Sequence, residues 1–414
     1  MYRQKNDLDL RKMARILLYK HGLIDGRGAD RATAAFANAM ACRGYEVHII
    51  TRQKEREPFS VTLDERITCH SLPQKKRPIT KLINRYFLQT ALGEKILTAL
   101  FPKLDLVRRY SIKLQCLINQ IQPDVLLVAG SNECVEALFA GPLEIPVVMM
   151  FHVYPLECFC KNKYRRASRF KQVLSQVAEC QVLLPSHREL LKPYTKAPVA
   201  VIGNGISWPA EEPIPAAATR EKQIVYIATF AKGKNHLDLL TAFAQLNAPD
   251  WTLQLYGAVK PEWEAHLKTV ATTLGIADRV HFMGVTHLTR PILLRAGICA
   301  FPSKVEGFGL ALAEAMWCGL PCVGFKTAPG VNEILSHEAN GLLAEPTPEA
   351  FAAQLQRLID DAQLREHLGR IAAKMARQTF PLSLIEQQWD DLIQRHCVKN
   401  ETQQAALKSE NFSE

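Results

Sequence analysis

The sequence predicts an α/β protein built as two doubly wound halves, and three observations predict it. Short apolar runs of strand length alternate without interruption with longer segments of helical composition from Ala14 to Phe301, the pattern of parallel βαβ units. A stretch rich in Pro, Ala and Glu, Ser207 to Glu221, separates two such series as a linker would. The chain has 414 residues, which is long for one core.

The first half opens with Ala14 to Tyr19 as a buried strand. A Gly-rich turn carries Gly26 and Gly28, a helix runs from about Asp30 to Arg43, Gly44 stops it, and Tyr45 to Thr51 is the next strand. The turn is not the dinucleotide fingerprint G-x-G-x-x-G, because Arg31 stands where the third glycine belongs. A third strand falls at Thr68 to Leu72, and a largely helical, basic segment follows from Ile79 to Ile121. Further strands are expected at Pro123 to Ala129, Ile145 to Phe151 and Cys180 to Pro185, the last leading to a helix capped by Ser186. His152 directly follows one of these runs. It therefore stands at the carboxyl edge of a parallel sheet, where open α/β folds bind ligands.

The second half begins with the strand Gln223 to Ala228, after which Thr229 to Leu240 carries Lys232 and Lys234. Strands at Trp251 to Tyr256, Val280 to Thr286 and Gly297 to Phe301 alternate with helices ending near Leu274 and Ala296. Pro302-Ser303 stops the last of these strands, a Gly-punctuated turn carries Glu306, and Leu310 to Trp317 reads as helix. Two helices are expected over Pro348 to Arg377. Pro381 then breaks the chain, and Ile385, Trp389, Leu392, Ile393 and His396 recur at helical spacing. The polar tail from Lys399 is expected to be disordered.

The strand–loop–helix around Glu306 carries the chemistry. The first N–H groups of a helix lack intrahelical partners and favour an anion, and Gly307 and Gly309 leave the backbone bare for a phosphate to approach. Glu306 and Glu314 flank that point, and a carboxylate that accepts sugar hydroxyls gains charge-assisted hydrogen bonds of about 1.5–3 kcal/mol each.

The run from Glu306 through Gly307, Phe308, Gly309 and Leu310 to Glu314-Ala-Met, with Cys318-Gly-Leu-Pro after it, resembles the E-x7-E signature of family 4 retaining glycosyltransferases of the GT-B fold. The resemblance implies two Rossmann-like domains facing each other across a cleft. Residues 1–207 would form the acceptor domain, 208–380 the nucleotide-sugar domain, 381–398 a helix returning to the first domain, and 399–414 the tail. It also implies transfer of a hexose-type sugar, with retention, from a UDP- or GDP-sugar to an acceptor hydroxyl, with no metal and no cofactor beyond that donor. Glu314 would take the donor ribose and Glu306 the hexose, His152 would lie beside the reacting carbon, and Lys234 would face the diphosphate. The backbone of Gly307, Phe308, Gly309 and Leu310 would complete the donor site, with Gly26 and Gly28 against donor phosphate or acceptor. Thr229 occupies the position at which the family carries an arginine on the diphosphate. A hydroxyl does not replace a guanidinium fork.

Charge suggests the acceptor. The chain carries a net +10, and the half up to Ser207 holds 32 Lys and Arg against 18 Asp and Glu, leaving the rest net acidic. Lys75 to Arg85, Lys103 to Lys113 and Lys161 to Lys171 are its densest parts. A basic face of this kind suits anionic membrane, so a lipid-linked glycan or lipopolysaccharide of a bacterial envelope is the expected acceptor, with nucleic acid the less expected partner. No apolar run approaches the length of a membrane helix, and Met1 to Lys12 lacks the apolar core of a signal peptide. A cytoplasmic place, at the inner face of the cytoplasmic membrane, is expected. The eleven scattered cysteines suit buried thiols rather than disulfides or a metal site. Alternatives of other kinds are a GT-B-fold epimerase or phosphorylase, and a catalytically dead transferase core serving as a membrane or nucleic-acid binding module.

Overall fold

The computed structural model describes residues 14–23, 28–52, 61–72, 106–160 and 164–410. Gly26 and the basic stretch Lys75 to Arg85 lie outside them. The chain divides into two compact units, Met1–Gly203 together with Glu386–Glu414, and Asn204–Ile385.

The first unit holds seven strands: β1 (Arg15–Tyr19), β2 (Glu46–Thr51), β3 (Thr68–Ser71), β4 (Val125–Val128), β5 (Val147–Met150), β6 (Glu179–Val182) and β7 (Val199–Val201). They form one parallel sheet ordered β3-β2-β1-β4-β5-β6-β7. Helices cover both faces, so the central strands are apolar along their whole length: every residue of β4 and β5 is buried. The order reverses between β1 and β4, which opens a crevice at their carboxyl ends. Residues from Glu386 onward belong to this unit. Trp389 packs on Phe36 with ring centroids 4.8 Å apart, and buried Asp390 accepts a hydrogen bond from Tyr45 Oη at 2.6 Å.

The second unit repeats the plan with six strands: β8 (Gln223–Ile227), β9 (Thr252–Tyr256), β10 (Val280–Gly284), β11 (Ile298–Phe301), β12 (Cys322–Phe325) and β13 (Leu342–Ala344). Their order is β10-β9-β8-β11-β12-β13, all parallel. This is the doubly wound order of a Rossmann-type sheet, with the switch point between β8 and β11.

Three local expectations change. The first helix begins at Gly28 rather than near Asp30, which leaves Gly28 in its first turn. Ser186 is not a cap: Leu184 holds that position and Pro185 starts the helix, because the fixed φ of proline suits the first turn and its missing N–H costs nothing there. The final helix, Leu382–Glu410, continues through the tail expected to be disordered. Residues 399–410 contain no Gly or Pro and are rich in Ala, Gln, Glu, Lys and Leu, all good helix formers. Among the described residues no helix is long and apolar enough to cross a membrane.

Candidate functional site

The switch point of the second sheet gathers most of the predicted residues. The segment after β8 and the loop after β11 meet there and are stitched together by three kinds of contact. Lys304 N donates to the Gly233 carbonyl at 2.9 Å. Tyr226, at 0% exposure on β8, donates its hydroxyl to the Lys234 carbonyl at 2.9 Å and lies 2.8 Å from the Ser303 hydroxyl. Its proton is committed to the carbonyl, so Ser303 is the donor in the second bond. Burial, and then the nearby Glu306 charge, push the Tyr226 phenol well above its ordinary pKa and keep that proton in place. Finally, Lys234 Nζ pairs with Glu306 Oε1 at 2.5 Å, with side-chain exposures of 24% and 10%.

The loop that presents Glu306 depends on two glycines. Gly309 caps the helix Leu310–Trp317 with φ +83°, and no side chain satisfies the helix start. The helix start lies beside the loop that carries Glu306, whose Cγ is 3.8 Å from where a Cβ on Gly309 would stand, and the dipole of a helix favours an anion at its start. Gly330 also has φ +83°, and a Cβ on it would lie 2.5 Å from the Glu306 carbonyl oxygen. Only glycine lets this neighbouring turn lie against Glu306, whose N–H donates to the Pro329 carbonyl at 2.9 Å.

Glu314, on the helix that begins at Leu310, is buried at 2% exposure. Phe308 turns its ring inward, edge-to-face on Phe380 at 5.1 Å, so a ligand meets only its backbone. Thr229 lies just beyond β8, half-buried. Lys232 is exposed in the short 3-10 turn Lys232–Lys234, which Asn235 closes in the left-handed conformation (φ +59°) before the next helix.

Sequence reasoning missed three residues here. Tyr226 and Ser303 join two strands that are far apart in sequence, and no local pattern announces the bond. His236 follows Lys234 closely and stacks on Phe230 at 4.1 Å, an aromatic pair six positions apart that was readable. Burial, and then the Lys234 charge, lower His236 to about 4, so this ring stays neutral beside the site.

His152 and Gly28 belong to the first unit, as do the residues that hold them. His152 follows β5 by two positions, and its Nε2 lies 3.4 Å from the Thr33 hydroxyl, which itself donates to the Ala29 carbonyl at 2.7 Å. The buried ion pair Lys20–Asp30, 3.2 Å apart, belongs to the same unit. Burial, and then the Lys20 charge, lower His152 to about 3. The ring is a neutral imidazole throughout the physiological range. At the β1–β4 switch point Glu136 joins Tyr19, His21 (2.9 Å) and Arg52 (3.0 Å). Burial opposes its charge, but these partners outweigh it and hold Glu136 below the usual carboxylate range. Among the described residues no group of three or more His, Cys, Asp or Glu is placed to hold a metal ion.

Residues 209–375 match the family described as Glycosyl transferases group 1. An uncharacterized glycosyltransferase of Haemophilus influenzae is 25% identical over 372 residues, 88% of this chain and 96% of its own. The amylovoran biosynthesis glycosyltransferase AmsD of Erwinia amylovora is 21% identical, over 92% of this chain and all of its own. Two solved structures share the fold. Sucrose-phosphate synthase from Thermosynechococcus elongatus has a TM-score of 0.73 at 18% identity, covering 92% of this chain and 98% of that one. Anabaena HepE in complex with UDP-glucose has a TM-score of 0.70 at 20% identity, covering 92% and 99%. Together with the two Rossmann-type sheets, these likenesses make the fold GT-B.

Proposed function

We propose that this chain, whose residues 209–375 belong to glycosyl transferases group 1, moves a hexose-type sugar from a nucleotide diphosphate donor to an acceptor hydroxyl with retention of anomeric configuration. The observation that carries the reading is the Lys234–Glu306 pair beside the uncapped start of the helix Leu310–Trp317, at the switch point of the second sheet. A cation, bare helix N–H groups and a carboxylate in one place suit a sugar diphosphate and little else.

Each role has a physical need. As the glycosidic bond breaks, charge accumulates on the departing diphosphate. Lys234 and the helix start would receive it from fixed positions, which is worth most where water is excluded. Glu306 would then exchange part of its pairing with Lys234 for the hexose hydroxyls, and Glu314, four residues into the helix, would take the ribose. His152 is held neutral by burial, so on this reading it would act as an uncharged hydrogen-bonding group. No described side chain around the Lys234–Glu306 pair is an evident nucleophile, which favours a front-face path in which the leaving diphosphate draws off the acceptor proton. On this reading no metal is needed, since Lys234 and the dipole neutralise the phosphate.

Uracil is the favoured base of the donor, since Anabaena HepE was solved with UDP-glucose. For the acceptor, the basic first half and the relation to an amylovoran biosynthesis enzyme favour an envelope polysaccharide or lipid-linked glycan. Arg108, Arg109, Ile112 and Lys113 are exposed on the helix Leu106–Ile121, the mixture of charge and apolar surface that holds a protein peripherally to anionic bilayer. The test is product analysis by proton NMR. An α-linked donor should yield an α-linked product together with nucleoside diphosphate. An inverted product would exclude the retaining assignment, and donor turnover that yields an epimer or a sugar phosphate would exclude transfer.

A further inference from the structure

The second unit has a cavity at the edge opposite the Lys234–Glu306 pair. It encloses about 410 Å³ and is bounded by the linker segment 212–217, by Gly319 and Pro321 ahead of β12, and by the helix Ala362–Thr379. Gly319, Pro321 and Arg220 all precede their strands, so the cavity lies at the amino edge of the sheet, whereas Glu306 follows β11 at the carboxyl edge.

Four guanidinium groups line it: Arg220, Arg365, Arg370 and Arg377. Three of them are held by backbone carbonyls rather than by carboxylates. Arg220 donates to the carbonyls of Leu293, Leu294, Ala296 and Cys318. Arg365 donates through Nη1 to Leu358 and Ile359, and Arg377 donates to Trp317, Ala210 and Glu212. Carbonyls fix the direction of an arginine but do not cancel its charge. Burial accordingly depresses Arg220 to about 10 and lowers Arg365, with Asp361 only partly offsetting the latter. The two acids of the lining are already engaged, Glu212 with Arg290 and Glu366 with Arg370 at 3.5 Å. Donors remain on three of the four guanidinium groups: among the described contacts Nη2 of Arg377, Nε and Nη2 of Arg365, and Nε and Nη1 of Arg370 make no hydrogen bond.

We infer that this cavity is a second ligand site, separate from the sugar-donor edge, which takes a phosphate-class anion. The volume suits a small ligand, and several arginine forks with spare donors around one space match phosphate oxygens, which accept paired N–H bonds. The same chemistry is offered by a free phosphate ester and by an anionic lipid headgroup. A ligand there would tie the linker segment 212–217 to the helix Ala362–Thr379, which Arg377 already joins through the Ala210 and Glu212 carbonyls.

The experiment uses the full chain at low salt. Inorganic pyrophosphate is titrated by calorimetry into wild type, Arg370→Glu and Glu306→Gln, and the same proteins are sedimented with phosphatidylcholine vesicles containing phosphatidate. Arg370 is exposed, so its reversal leaves folding intact. Expected is pyrophosphate binding that Glu306→Gln retains and Arg370→Glu weakens by about tenfold or more. Vesicle binding weakened by Arg370→Glu identifies a headgroup as the source of the anion, and pyrophosphate binding without it identifies a free phosphate. Pyrophosphate and vesicle binding both insensitive to Arg370→Glu, or no binding to either, overturns the inference.

Discussion

Lys234→Ala is the sharpest perturbation of the proposed site. Lys234 Nζ sits 2.5 Å from Glu306 with only 24% of its side chain exposed, and Thr229 leaves no arginine at the neighbouring family position to share its load. Removing one fixed group that stabilises transition-state charge costs about 2.7–4 kcal/mol, or roughly 10²–10³ in kcat. The same change strands the Glu306 carboxylate, whose side chain is 10% exposed, at a cost of about 1–3 kcal/mol in stability. For a unit the size of Asn204–Ile385 that is a fall in Tm of roughly 2–12 °C. Turnover is read as nucleoside diphosphate released from a nucleotide sugar in the presence of acceptor, and stability as urea unfolding. The two losses separate in the double variant Lys234→Met/Glu306→Gln: it should regain stability relative to the sum of the single changes, because neither charge is left alone, and should remain inactive. Lys234→Ala retaining more than about a tenth of wild-type turnover would refute the assignment of the diphosphate to this lysine.

Other outcomes follow from the same geometry. Gly330→Ala should destabilise the second unit by about 2–4 kcal/mol, since it adds a left-handed strain to a close approach on the Glu306 carbonyl, and urea unfolding reads it directly. Thr229→Arg should tighten nucleoside diphosphate binding by about tenfold, by restoring a charged fork beside Lys234; unchanged affinity in calorimetry would show that the position does not face the phosphates. Burial holds His152 and His236 neutral, down to about 3 and about 4, while the unfolded chain protonates them near 6.5. Below that value the unfolded state binds more protons, so their contribution to stability is complete above about pH 6.5 and is lost progressively towards pH 4 and below. Urea midpoints measured from pH 7 to 4 should fall, and His236→Leu should flatten the fall; an equally steep curve in the variant would contradict it.

Much of this architecture was readable because parallel strands buried on both faces leave unbroken apolar runs, and because glycine marks the loops between them. Gln223 to Ala228 and Gly297 to Phe301 matched observed strands to within about one residue, and the helix at Leu310 to Trp317 matched in full. The Glu306 loop was legible for the same reason: Gly309, which closes it, is required by its positive φ. What escaped was nonlocal. Tyr226 and Ser303 are bonded across 77 positions, and the Lys234–Glu306 pair across 72. The arginines of the second cavity lie between 220 and 377 in a half whose net charge is acidic, so composition pointed away from them. Helix in the tail was missed because polarity was weighed above propensity, although Ala, Gln, Glu and Lys are all strong helix formers.

The central claim is that the carboxyl edge of the second sheet binds a nucleotide sugar through Lys234, Glu306 and Glu314. Calorimetric titration of a panel of UDP- and GDP-sugars into wild type, Lys234→Ala, Glu306→Gln and Glu314→Gln tests it most directly. The account predicts that at least one donor binds wild type in the range of about 1 μM to 1 mM, and that each of the three substitutions weakens it by about tenfold or more. Donor binding of equal strength in all four proteins, or in none, would contradict it.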